Sequence, residues 1–198
     1  MLKIGITGGI GSGKTTICKV FETLGAPVFY ADTVAKWAMT NDASLVAGVK
    51  TSFGEESYHA DGTLNNKYLA AIVFNQKVAL AQLNSLVHPV VFSEFDKWVK
   101  SHQESTPYVL KEAALLFESG SYQQCDKNIL VTAPLSLKLA RVMQRDQVTE
   151  AQVLARIDKQ LPDEQKAKMA DYFITNSLTD SVILQVLDLH EQFLRLKG

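Results

Sequence analysis

The stretch Gly8-Gly-Ile-Gly-Ser-Gly-Lys-Thr15 constrains the fold more than any other part of the chain. It fits G-x-x-x-x-G-K-[ST], in which glycines let backbone N–H groups turn inward on a phosphate while the helix opening at the lysine adds its dipole. At average residue frequencies a random window matches about once in 30,000, so chance is a poor explanation. The geometry requires a strand before the loop and a helix after it. Leu2 to Thr7 reads as a short buried strand, and Lys14 to Leu24 carries Ile17, Val20, Phe21 and Leu24 at helical spacing, with Gly25 as the stop. Pro27 to Tyr30 reads as a second strand running into Ala31-Asp32, and Thr33 to Met39 opens another helix. Strand, loop, helix, strand is a βαβ unit and implies a parallel sheet.

Beyond that unit, strand signals fade between about residues 41 and 103. Leu64, Tyr68, Leu69, Ile72 and Val73 share one helical face, Leu80, Leu83 and Val87 another, and Val91, Phe95 and Trp98 a third. Sheet signals return at Tyr108 to Glu112, Asn128 to Thr132 and Tyr172 to Thr175. Helices are expected from Leu135 to Gln144, from Glu150 to Gln160 and from Asp180 to Arg195. Thr149-x-x-Gln152 forms a capping box for the second, and Leu161-Pro162 stops it. The expectation is an α/β chain with a five-stranded parallel sheet, a helical insertion and a helical lid.

The 198 residues are enough for one such domain with insertions, and the formal net charge of −1 provides no basic field to draw the chain onto nucleic acid or an anionic membrane. No signal-peptide pattern or apolar run of transmembrane length is expected, and cytoplasm is the natural compartment. The two cysteines, Cys18 and Cys125, are too few and too separated for a disulfide framework or a zinc site.

A phosphate held by such a loop can be hydrolysed, transferred or merely sensed. The guanine-reading N-K-x-D of GTPases is absent: Asn66-Lys67-Tyr68-Leu69 lacks the aspartate. A small-molecule kinase fits best, because it needs an acceptor site and a lid that excludes water. The loop offers Gly9, Gly11, Ser12, Gly13, Lys14, Thr15 and Thr16 to the nucleotide, with Lys14 reaching the β- and γ-phosphates of ATP and the Thr15 hydroxyl entering the Mg²⁺ shell. Arg141 and Arg145, four apart on one helix, and Arg156 on the next can neutralise charge on the transferred group. A solvated basic face is the alternative. Asp32, at the C-terminal end of the second strand, can orient an attacking hydroxyl and accept its proton, or it can cap the following helix.

These residues resemble the dephospho-coenzyme A kinase family nearly end to end. The resemblance covers the loop from Thr7 to Thr15, Ala31-Asp32, Asp61-Gly-Thr-Leu64 with Ile72-Val-Phe74, Leu86-Val-His-Pro89 and Leu115-Leu-Phe-Glu118. It continues through Arg141 to Asp146, Arg156 with Gln160, and Ala170-Asp171 with Asn176. It implies a three-layer P-loop kinase fold forming a single domain. The core would occupy about residues 1–35, 106–140 and 166–198, a CoA-binding insertion about 36–105, and a lid about 141–165. It also implies phosphorylation of the ribose 3′-hydroxyl of dephospho-CoA by ATP, with Asp32 as base and with Arg141 and Asn176 near the adenine and phosphates. Dephospho-CoA and ATP would be the partners of a monomer or weak homo-oligomer.

Three positions depart from the family pattern. Asn66 and Lys36 stand where basic residues and Arg or His are usual, and Ala114 replaces a frequent proline. A lysine cannot supply arginine's bidentate fork. His88 before Pro89 is read as structural, and no metal-ligand spacing appears, so Mg²⁺ would arrive with the nucleotide. Glu112 and Glu118 are weak candidates for its water shell. The rival readings are a kinase for another small molecule and a nucleotide-binding regulatory module that transfers nothing.

Overall fold

In the computed structural model, residues 1–73 and 76–196 are described. Two compact units are distinguished, residues 1–30 with 99–198 and residues 31–98. Phe74, part of the family resemblance, lies outside the described residues.

The first unit is built on five parallel strands: β1 (Leu2–Gly8), β2 (Val28–Tyr30), β3 (Tyr108–Glu112), β4 (Lys127–Thr132) and β5 (Tyr172–Thr175), in the order β2-β3-β1-β4-β5. The predicted limits of β3 and β5 match to the residue. The helices of this unit include α1 (Lys14–Thr23), α6 (Leu135–Asp146), α7 (Glu150–Ile157), α8 (Asp163–Ala167) and α9 (Val182–Arg195); α1, α8 and α9 pack on the sheet, and α7 packs on α6. Strand alternation sends Ile4, Ile6, Tyr108, Leu110, Ile129, Val131 and Ile174 into one core with Ile17, Cys18 and Phe21 of α1 and Val186, Leu189 and Phe193 of α9. Each fully buried side chain of this kind is worth about 1.5–3 kcal/mol. Phe193 stacks on Phe21 at 6.5 Å between ring centroids and meets Tyr172 and Tyr108 edge-on at 5.2 and 5.3 Å. On the other face α8 packs against β4, and a Cβ at Gly5 would run into Leu116, so the segment after β3 also lies close on the sheet.

The capping box forms as expected: the Thr149 hydroxyl accepts from Gln152 N, and Thr149 N donates to Gln152 Oε1 at 2.9 Å. α7, however, ends at Ile157 rather than at Gln160. Gln160 sits in the turn beyond, its backbone N–H bonded to Ile157 O at 2.9 Å. The pattern predicts apolar periodicity but not a tertiary contact that recruits the last residues, and Gln160 makes such a contact. α9 starts two residues later than expected, where Ser181 caps it through Leu184 N.

The second unit holds α2 (Ala31–Asn41), α3 (Ala43–Phe53), α4 (Asn66–Val73) and α5 (Lys77–His102) as far as Trp98. Asp42 caps α3 through Leu45 N at 2.8 Å, and Gly54, with φ 95°, follows its end. Two tyrosine hydroxyls close the unit: Tyr58 donates to Met39 O at 2.7 Å and Tyr68 to Phe53 O at 2.9 Å. The separate stripes expected around Leu80 and Val91 belong to one helix of 26 residues with Pro89 inside it. Val87, Val91 and Phe95 are buried as predicted, whereas Leu80 is exposed near the helix start. His88 stacks on Phe92 at 5.9 Å, consistent with a structural part.

Candidate active site

The parallel register assembles the site. Gly8 at the end of β1 pairs with Val131, and Thr132 at the end of β4 pairs with Thr175 at the end of β5. The loops leaving β1, β4 and β5 therefore emerge at one edge, the carboxyl edge, where open α/β sheets bind ligands. The residue after β5 is Asn176, fixed there by its N–H to Thr132 O at 2.8 Å.

Asn176 then reaches the phosphate loop. Its Nδ2 donates to Ser12 O at 2.8 Å, and its Oδ1 accepts from Arg141 Nη2 at 3.1 Å. Arg141 Nη1 donates to Gly11 O at 3.3 Å. Both side chains take loop carbonyls and so restrain the path of the loop. Gly11 and Gly13 have φ of 78° and 94°, a left-handed conformation that side chains strain to adopt. A Cβ on Gly11 would approach Lys138 O at 2.6 Å, and one on Gly13 would collide with Asn176 Nδ2. Gly13 is the N-cap of α1 and supplies no side-chain cap, so the first turn of α1 presents backbone donors and the positive end of its dipole.

Lys14 folds over the loop, with Nζ 2.9 Å from Gly8 O. Ser12 is fully buried, and its side chain points inward. Thr15 and Thr16 are exposed in the first turn of α1. The three arginines have different partners. Arg145 grips Asp146 with two hydrogen bonds, at 2.7 and 3.1 Å, and Arg156 meets the same carboxylate at 2.6 Å. These guanidinium groups, Arg145 foremost, pull the Asp146 carboxyl down to about 2. Arg141 alone of the three touches the loop.

Glu118 is engaged elsewhere: its Oε1 accepts Leu161 N at 3.0 Å and faces the buried Lys166 Nζ at 3.1 Å. Glu112 is buried at the end of β3, level with Ile6 of β1. In the second unit Asp32 is exposed in the first turn of α2, which begins at Ala31. It is inside the helix and so is not its N-cap. Lys36, Asn66 and Lys67 are exposed on α2 and α4.

Two features escaped the sequence reading. Lys138 and Asp163 form an ion pair at 2.7 Å beside Gly9, and Gln160 Oε1 accepts Ile10 N–H at 2.9 Å. Gln160 carried a signal only as part of the family pattern, and Lys138 carried none.

A family model described as dephospho-CoA kinase matches residues 2–181. The chain belongs to the dephospho-CoA kinase family. A curated dephospho-CoA kinase of Salinibacter ruber is 42% identical over 180 residues, covering 90% of each chain. Among solved structures, a Thermus thermophilus protein superposes with a TM-score of 0.85 at 33% identity, covering 98% of this chain and 97% of its own. A dephospho-CoA kinase from Campylobacter jejuni does so with a TM-score of 0.72 at 26% identity, covering 99% and 98%. The sheet order, the phosphate loop and these matches establish a three-layer P-loop kinase fold. Among the described residues no helix is long and apolar enough to cross a membrane, and no cluster of three or more metal-ligating side chains is present.

Proposed function

We propose that the chain transfers the γ-phosphoryl group of ATP to the ribose 3′-hydroxyl of dephospho-CoA, giving CoA and ADP. The observation that carries this reading is the phosphate loop braced through its carbonyls by Arg141 and Asn176, in a chain of the dephospho-CoA kinase family. Bracing the carbonyls fixes the donors before the nucleotide arrives, which is how phosphoryl-transfer sites stabilise charge at low reorganisation cost.

Gly9, Gly11, Ser12, Gly13, Lys14, Thr15 and Thr16 bind the phosphates, and Lys14 leaves Gly8 O to meet the β- and γ-oxygens. Arg141 and Asn176 line the nucleotide, and Arg145, still held on Asp146, adds a weaker attraction when the lid, about residues 141–165, closes. The exposed Thr15 hydroxyl is a hard oxygen donor of the kind Mg²⁺ accepts, and a lone protein donor suits an ion delivered with the nucleotide. Mg²⁺ would supply charge neutralisation between the phosphates. Asp32 orients the ribose hydroxyl and accepts its proton. The insertion, about residues 36–105, holds the acceptor, with Lys36 and Lys67 as its cations. We place the reaction in the cytoplasm, where Cys18 and Cys125 stay reduced, and expect a monomer or weak homo-oligomer.

The test is product formation from Mg-ATP and dephospho-CoA, with a no-acceptor control and a panel of nucleosides. CoA and ADP appearing in step, with a quiet control, supports the reading. A nucleoside preferred in kcat/KM by orders of magnitude, or ATP binding without any product, refutes it.

A further inference from the structure

We propose that Gln160 is a positioning residue for the phosphate loop: it fixes the orientation of the Gly9–Ile10 peptide, and as a neutral acceptor it does so without setting a negative charge beside the anion site. The inference rests on the reading that this loop holds ATP.

A peptide unit is planar, so its carbonyl and N–H turn together. Both ends of the Gly9–Ile10 unit are held. The Gly9 carbonyl accepts Ser12 N–H at 3.1 Å, and Ile10 N–H donates to Gln160 Oε1 at 2.9 Å. The second contact spans 150 residues of sequence. Glycine at position 9 offers little resistance to a flip of this unit, so the restraint comes from the two hydrogen bonds. A flip would turn a carbonyl to where a donor now points, beside a loop that must attract phosphate.

Gln160 is itself fixed. Its own N–H bonds Ile157 O, and the next residue, Leu161, donates to Glu118 Oε1 at 3.0 Å. Glu118 is paired with the fully buried Lys166, and Asp163 is paired with Lys138. The restraint on the loop thus comes from a segment anchored on both sides. The side chain is a neutral acceptor. A glutamate could accept the same hydrogen bond, but it would set a negative charge next to the anion site.

The experiment uses the full-length chain, wild type, Gln160→Ala and Gln160→Glu. Amide hydrogen exchange at Ile10 is followed without nucleotide, and Mg-ATP binding is measured by calorimetry. Gln160→Ala should speed Ile10 exchange and weaken ATP binding about five- to tenfold each. Gln160→Glu should keep Ile10 protected yet weaken ATP binding on the order of tenfold or more through repulsion. Unchanged Ile10 exchange in Gln160→Ala, or wild-type ATP binding in Gln160→Glu, overturns the proposal. Neither readout uses the acceptor. If the wild type makes no CoA, the proposed reaction fails while exchange and ATP binding still decide the part of Gln160.

Discussion

Asn176 Nδ2 lies 2.8 Å from Ser12 O and directly against the face of Gly13. A single amide at the end of β5 thereby sets both the path of the phosphate loop and the residue type the loop tolerates. Gly13→Ala must strain a φ of 94° and displace Asn176. We expect it to cost about 1–2 kcal/mol of stability and to abolish measurable ATP binding. Thermal unfolding and calorimetry on the same sample test both, and an alanine variant that binds ATP normally would remove Asn176 from this account.

Asp32 is exposed in the first turn of α2 and caps nothing. As a base, Asp32→Asn should lower kcat by roughly 10²–10⁴ while ATP affinity barely changes. Near-full turnover of that variant would exclude the role. Lys14→Ala, by contrast, should depress both turnover and nucleotide affinity, because it removes the cation lying over the loop.

Arg141 and Arg145 are separated by their partners rather than by their distance along α6. Arg141→Ala loses contacts to Gly11 O and Asn176 and should raise KM for ATP roughly tenfold. Arg145→Ala frees Asp146 from one of two cations and should change KM for ATP by no more than about threefold. Steady-state kinetics at saturating acceptor distinguish them, and equal effects would mean that Arg145 leaves Asp146 during turnover.

Asp146 also provides a pH handle. Its carboxyl is held at about 2, below its ordinary value of 3.8, by Arg145 first and then Arg156. A lowered folded value means the contribution to stability is complete above the unfolded value and is lost as pH falls toward 2. Asp146→Asn should therefore lower the Tm at neutral pH, and the difference should shrink as pH drops below about 4. A carboxyl NMR titration should place the wild-type midpoint near 2. A midpoint near 3.8 would show that the arginines do not hold it in solution.

Burial raises both thiols, Cys125 to about 11 and Cys18 further still. At pH 8 a thiol reagent should label the folded chain slowly and label two thiols at once in denaturant. Fast native labelling of one thiol would contradict the packing of Cys18 between α1 and the sheet or of Cys125 before β4.

What was legible in the sequence was whatever depends on neighbours along the chain. β3 and β5, with apolar runs bounded by breakers, were placed to the residue, and the Thr149–Gln152 capping box formed as written. The phosphate loop with its flanks gave the βαβ unit. What was hidden depends on residues far apart in sequence. Nothing local marks Lys138 as a partner of Asp163, or Gln160 as a partner of Ile10, because neither periodicity nor capping chemistry encodes a contact across the fold. The arginines show the same limit: spacing places Arg141 and Arg145 on one helix face, but it does not reveal that the adjacent Asp146 holds the second. Position and family resemblance single out Asp32, but they do not reveal that α2 begins two residues before Thr33, which removes its capping role.

The glycines of the loop face different kinds of obstacle, and this shapes how the loop can evolve. Gly11 is hemmed by the carbonyl of Lys138, which no substitution at 138 can delete, whereas Gly13 is hemmed by a side chain. A lineage that loses Gly13 can relieve the collision, though not the backbone strain, through a smaller residue at 176, at the expense of the loop's brace. A lineage that loses Gly11 has no such second-site remedy, so suppressor screens should return changes at 176 for one glycine and only true reversion for the other.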